Sequence, residues 1–331
     1  MKALTRMIIG GDVMLGRLVK VFMRENGYEL PLQGVKNIMK RGDITLINLE
    51  CAMTASIKRW SGPRKAFYFG ADPIAAEALQ DAGVNLVSLA NNHALDFDFQ
   101  GLTDTLYLLD QKKISHAGAG ENLGEALTPA LIERNQIKFG MVAFCDHQDD
   151  FAAEKNRPGI AYVDLNDEQK ALALFQSCLN KMRKLKIVWP ILSLHWGPNM
   201  VDRPSAQFKK IAHQVIEMGY KMLFGHSAHV FHGIEIYQGC PILYAAGDLV
   251  DDYAVDPLFK NDHQCLFELQ LENLQLKRII VYPVFIVYCT VNPATEAQFQ
   301  TIANRLKHLN AELGTHVIID SKHNVCLIEP E

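Results

Sequence analysis

The stretch Gly219-Tyr220-Lys221-Met222-Leu223-Phe224-Gly225-His226-Ser227-Ala228-His229 settles the fold class. A short, mostly apolar run from Tyr220 to Phe224 has the length of a buried strand, and two imidazoles follow it immediately. Upstream, Phe208, Ile211, Ala212, Val215 and Ile216 recur at helical spacing. Pro204-Ser205 starts that helix and Gly219 closes it. Helix, glycine, strand, polar cluster is half of an alternating β/α pattern, which predicts a largely parallel sheet. In such sheets ligands gather at the carboxyl ends of the strands, where loops converge and helix N-termini point.

The same order recurs along the chain. Asp72 and Pro73 are expected to cap and start a helix whose Ile74, Ala75, Ala78 and Leu79 share one face before Gly83, and a strand Asn85 to Leu89 follows. Met7-Ile8-Ile9 leads into Gly10-Gly11-Asp12, Ile44 to Leu49 into Glu50, Asn85 to Leu89 into Asn91-Asn92-His93, and Ile187 to Leu194 into His195. Beyond residue 230 the pattern changes to strands joined by short turns: Gly233 to Tyr237, Pro241 to Tyr244, Cys265 to Leu271 and Lys277 to Val287. These predict an antiparallel extension of the sheet system. A helix over Thr295 to Leu313 and a short strand pair complete the chain. No linker-like composition interrupts residues 1–331, so one domain is expected, with a motif-bearing core over residues 7–270 and a C-terminal extension over 271–331.

Composition narrows the function classes. The chain has 331 residues, 49% hydrophobic and 21% charged, enough for a sizeable core. With a formal net charge of −4 there is no global basic field to hold nucleic acid, so an anionic small-molecule or polymer substrate would have to be met locally. Cys51, Cys145, Cys178, Cys240, Cys265, Cys289 and Cys326 stand singly, without a CxxC pair, as expected in a reducing compartment. The N-terminus reads as a first strand, and no run approaches the ~18 apolar residues of a membrane span. A cytoplasmic location is therefore expected.

Each strand-end residue has an ordinary reading: an Asp after a strand caps a turn, and a lone His fills a loop. Their joint placement argues for more. Carboxylate, amide and imidazole donors together suit a borderline divalent cation such as manganese, iron or zinc, and two neighbouring cations can share a carboxylate.

Gly11-Asp12-Val13-Met14-Leu15-Gly16-Arg17, Asn48-Leu49-Glu50, Leu89-Ala90-Asn91-Asn92-His93-Ala94-Leu95-Asp96, His195-Trp196-Gly197 and Gly225-His226-Ser227-Ala228-His229-Val230 resemble, in order, the motifs of the poly-γ-glutamate capsule-biosynthesis (CapA) family. Gly233 to Tyr237 and Pro241 to Asp248 resemble its later block. The family belongs to the calcineurin-like metallophosphoesterases, so the resemblance implies an α/β fold built as a four-layer α/β/β/α sandwich. It also implies a dinuclear divalent metal centre and phosphoester hydrolysis. Carried over residue by residue, Asp12 and His229 would bind the first ion, Glu50 would bridge, and Asn92, His195 and His226 would bind the second. His93 would protonate a leaving oxygen, and Asn91 would hold the loop. Arg17 would grip an anionic group of the substrate; alternatively it pairs with a nearby carboxylate.

There are departures. The superfamily opens with Asp-x-His, whereas Met14 stands at the histidine position, so the first ion loses one imidazole. Ser227-Ala228 lies between histidines that the family usually separates by His-Pro, and Gly247-Asp248-Leu249 replaces its usual Gly-Asn-Phe. Asp248 then either orients a ligand histidine or simply belongs to an acidic loop with Asp251 and Asp252. Trp196 either walls the site or fills the core. His147 and His232 are expected to be structural, and Lys65, Phe67 and Tyr68 fall in a loop where substrate contacts are plausible. The resemblance implies that capsule-associated members are typically tethered by an N-terminal hydrophobic helix; none is expected here, so a role in exporting or assembling capsule polymer is not expected. Against the hydrolase stand a non-catalytic partner of a polymer-synthesising complex and a metal-binding sensor.

Overall fold

The computed structural model describes residues 4–330. Two large sheets dominate. The first has ten strands in the spatial order 318–320, 325–328, 275–287, 263–272, 4–13, 44–49, 86–88 and 115–117, with 248–250 added beside 4–13 and 290–293 beside 275–287. Strands 4–13, 44–49, 86–88 and 115–117 run parallel, and those from residue 263 onward are antiparallel. The second has six strands, 234–237, 240–243, 222–226, 189–195, 137–145 and 130–134, parallel except for the antiparallel strand at each edge.

Period-two alternation explains how the sheets pack. On the second sheet Val142, Phe144, Leu192, Leu194, Leu223 and Ile242 pack with Phe175, Leu179, Ile211 and Val215 of the helices Glu168–Lys184 and Ala206–Met218. The residues between them, Met141, Ala143, Trp189, Ile191, Met222 and Phe224, join the other core, which contains the first sheet. Thr45 of the first sheet donates its hydroxyl to Met39 O at the end of the helix Lys36–Met39, and the buried faces of the helices Arg17–Asn26, Ala75–Asp81 and Asp98–Gln111 belong to this same core. The order is helix, sheet, sheet, helix. Continuing the alternation puts Ser193 and His195 on the face of Trp189 and Ile191, and His226 on the face of Met222 and Phe224, so both imidazoles point into the gap between the sheets.

Local signals match where neighbours do not interfere. Ser205 caps the helix Ala206–Met218 by accepting from Phe208 N, and Gly219 ends it at φ +116°, a left-handed conformation that glycine adopts without strain. Thr295 and Gln298 form a capping box on the helix Glu296–Ala311. The expected Asp72 cap does not form: its carboxylate is taken by Arg24 and Lys20, and the helix Ala75–Asp81 has no side-chain cap. The late strands divide. The hairpin Ile234–Tyr237 and Cys240–Leu243 edges the second sheet, its second strand parallel to Met222–His226, while His263–Glu272 and Gln275–Val287 extend the first sheet antiparallel.

Candidate metal centre

Asp12, Asn48, Glu50 and Asn92 come from the carboxyl ends of the first sheet's parallel strands or the loops just beyond, and His195, His226 and His229 from those of the second. The six expected ligands thus meet along one rim, between the sheets. One atom each of Asp12, His195 and His226 lie within 4.8 Å of one another, and so do one atom each of Asp12, Glu50, His229 and Asp248. Asp12 belongs to both groups, a place the resemblance gives to Glu50. Glu50 also reaches toward the first group, with Oε1 3.8 Å from His195 Nε2.

Asp12 Oδ1 accepts from Asn48 Nδ2 at 2.7 Å and stands 3.7 Å from His226 Nδ1, while its Oδ2 accepts from Ser227 N and stands 3.7 Å from His229 Nδ1. His195 Nε2 is 3.0 Å from Asn92 Oδ1, and its Nδ1 is 2.7 Å from His226 Nδ1. Asn91 holds the loop: its Nδ2 donates to Asn48 Oδ1 and Leu49 O, and its Oδ1 accepts from His93 N. His229 sits at φ +58° and is 2.9 Å by Nδ1 from Asp248 Oδ1.

His93 is buried and stacked on Phe69, with ring centroids 3.7 Å apart. Its Nδ1 lies 2.5 Å from Asp96 Oδ2, and its Nε2 faces the site, 4.0 Å from Glu50 Oε1. Asp96 is fixed in turn by Phe69 N and by Lys65 Nζ, which also donates to Asn92 O. Burial lowers the His93 imidazole to about 4, against the pull of Asp96, so in the free site the ring is neutral at pH 7, Asp96 accepting from Nδ1–H. Asp96 was within reach of sequence reasoning, as the last residue of the Leu89–Asp96 block, but no spacing rule pairs it with a histidine three residues earlier in a loop. Lys65 proves to be part of this support.

Arg17 pairs with Asp252, Nε to Oδ2 at 3.3 Å, and its guanidinium lies over the rings of Phe67 and Phe69. It also lines a cavity of about 550 Å³ with Phe67, His93, His229, Tyr253 and Asp256. Trp196 fills the core, stacked on Phe208 with its indole N–H donated to Tyr244 O. His147, held by Asp146, comes within 5.1 Å of the His195 ring, centroid to centroid, nearer the site than its sequence context indicates.

The donor set fits divalent cations. Glu50 Oε1 and Asp248 Oδ2 are buried without a hydrogen-bond partner. Among the described residues, Asp12, Glu50, Asp248 and Asp251 are all buried and none pairs with a lysine or arginine; the basic side chains that approach the first three are histidines. Burial pushes Asp12 up to about 6, and burial with neighbouring carboxylates pushes Glu50, Asp248 and Asp251 well above the usual carboxylate range. Such crowding calls for positive charge in the gap.

Two packed sheets with helices outside and a rim of carboxylate, amide and imidazole donors define a mixed α/β protein with a candidate metal-binding rim between its sheets. The chain belongs to the bacterial capsule synthesis protein PGA_cap family, whose model matches residues 6–253. It is 28% identical to a probable polyglutamine synthesis accessory protein of Mycobacterium tuberculosis over 94% of this chain and 92% of that protein. To the PGA biosynthesis protein CapA of Bacillus subtilis it is 28% identical over 73% of this chain and 62% of that one. Among solved structures, a hypothetical protein from Thermus thermophilus superposes with a TM-score of 0.50 at 15% identity, covering 84% of this chain and 98% of that chain. Among the described residues no helix is long and apolar enough to cross a membrane.

Proposed function

We propose that the chain is a metal-dependent phosphoesterase with a dinuclear centre of manganese, iron or zinc. In this reading Asp12 and His229 would hold the first ion, Asn92, His195 and His226 the second, and Glu50, which reaches toward both groups, would serve both. The observation that carries it is the membership of Asp12 in two overlapping donor groups. When bound, two cations would supply an activated water and neutralise phosphoryl charge.

The chain's own residues do the rest. His93 meets the substrate through Nε2, which takes a proton from bulk water as the anionic group arrives and passes it to the departing oxygen, leaving the ring neutral again. Asp96, accepting from Nδ1–H, fixes that ring. Arg17, beside the cavity and already paired with Asp252, contributes to holding the anion. Phe67 and Tyr253 wall the approach and limit water there. The substrate is an anionic small molecule or polymer, and a link to poly-γ-glutamate or capsule metabolism follows from the relatives' names. Residues 1–331 act as one domain. Free, mostly buried thiols support a cytoplasmic place of action.

Loading with manganese and offering generic phosphomonoesters and phosphodiesters tests this: turnover is expected for wild type and none for His226→Ala. Metal binding without any hydrolysis supports the second reading, a non-catalytic partner of a polymer-synthesis or ligase complex. Two observations favour it, the word accessory in a relative's name and Met14 at the missing imidazole.

A further inference from the structure

Resting on the two-ion reading above, we propose that Asp248 is a ligand of the first ion, in place of the imidazole that Met14 does not supply. Strand Asp248–Val250 runs parallel to Leu4–Val13, and Asp248 is the register partner of Asp12. Parallel partners present side chains on the same face, so both carboxylates enter the gap between the sheets. The backbones lie close here: Asp12 N donates to Gly247 O at 2.9 Å, and Gly247 turns at φ +74°.

Asp248 Oδ1 is 2.9 Å from His229 Nδ1. Its Oδ2 is buried, accepts nothing, and the carboxylate lies in the group formed with Asp12, Glu50 and His229. A charge so placed costs several kcal/mol unless a cation meets it. Met14, wholly buried, turns its thioether to Gly16 N at 3.1 Å, away from any such duty. No local pattern identifies Asp248 as a ligand, because its partner Asp12 lies at the other end of the motif-bearing segment.

The consequence is chemical asymmetry. Three carboxylates and one imidazole make the first site oxygen-rich and suited to a hard cation such as manganese or magnesium. Asn92, His195 and His226 make the second site nitrogen-rich.

Calorimetric titration of chelator-stripped protein with Mn²⁺ tests this, comparing wild type with Asp248→Asn. Asparagine keeps an oxygen to accept from His229 Nδ1–H, so an aspartate that only orients the ring leaves both ions bound as before. As a ligand, Asp248 makes wild type take up two ions, while Asp248→Asn keeps one and binds the other more than about 100-fold more weakly, beyond what losing an orienting partner costs. Melting in chelator verifies folding; should the asparagine variant melt early, Asp248→Ser is read in the same way. Two ions bound by the folded variant with affinity unchanged, or weakened by less than that, overturn the ligand role and leave the two-ion reading standing. A wild type that takes up no manganese overturns both.

Discussion

Ser193 Oγ lies 3.0 Å from Ser88 Oγ, joining the two sheets, and 2.8 Å from His226 Nε2. A proton chain follows if His226 keeps the lone pair on Nδ1 for an ion: Nε2–H donates to Ser193, and Ser193 donates to Ser88. A partner of this kind fixes the tautomer and aim of a ligating imidazole. Ser193→Ala removes it, leaving His226 Nε2–H buried and unpaired. The expected cost is about 1–3 kcal/mol in denaturant unfolding and a ~10–100-fold weaker second ion in metal titration.

The Asp96–His93 pair predicts a different signature. His93→Gln and Asp96→Asn should leave two ions bound and lower kcat by ~10²–10⁴-fold. Single-turnover kinetics beside metal analysis makes the comparison. A His93 variant as fast as wild type removes the proton-transfer role.

Backbone proximity gives a prediction about stability. A Cβ on Gly11 would sit 1.8 Å from Gly247 O, so Gly11→Ala must push strand Asp248–Val250 away from Asp12. Destabilisation of at least about 1–3 kcal/mol is expected, read as a shift in denaturant midpoint at constant slope. An unchanged midpoint rules out the close approach.

His232 supplies a pH dependence away from the ions. Its Nε2 donates to Val201 O at 2.6 Å, and its Nδ1 is buried without a partner. Burial lowers the imidazole to about 4, below the ~6.5 of an unfolded chain. The unfolded state therefore binds the proton first, and stability is lost as pH falls from about 6.5 to about 4, then levels off. Between pH 7 and 4.5, wild type should lose about 2 kcal/mol more than His232→Gln. Equal losses in the two proteins would show that folding does not lower the pKa of His232.

Much of this was legible in the sequence, for definite reasons. The helix Ala206–Met218 carries its own start and stop signals, and the histidines after it inherit their place from the strand they terminate. Asp12, Glu50, Asn92, His195, His226 and His229 were all in view because strand ends announce themselves locally. Their sharing was not: that Asp12 reaches both donor groups depends on the spacing of two sheets. Asp72 fails as a cap because Arg24 and Lys20, distant in sequence, compete for it. Which sheet each late hairpin joins is likewise a matter of chain crossing, invisible to period-two patterns. Ser193 looks like any small residue in a buried strand until Ser88 is seen opposite it.

Anomalous diffraction from manganese-loaded crystals tests the central claim most directly. Two peaks are expected, ~3.5–4 Å apart, one beside Asp12, Glu50 and His229 and the other beside Asn92, His195 and His226. Well-ordered crystals with no manganese at these side chains, or with peaks only elsewhere on the molecule, would contradict it.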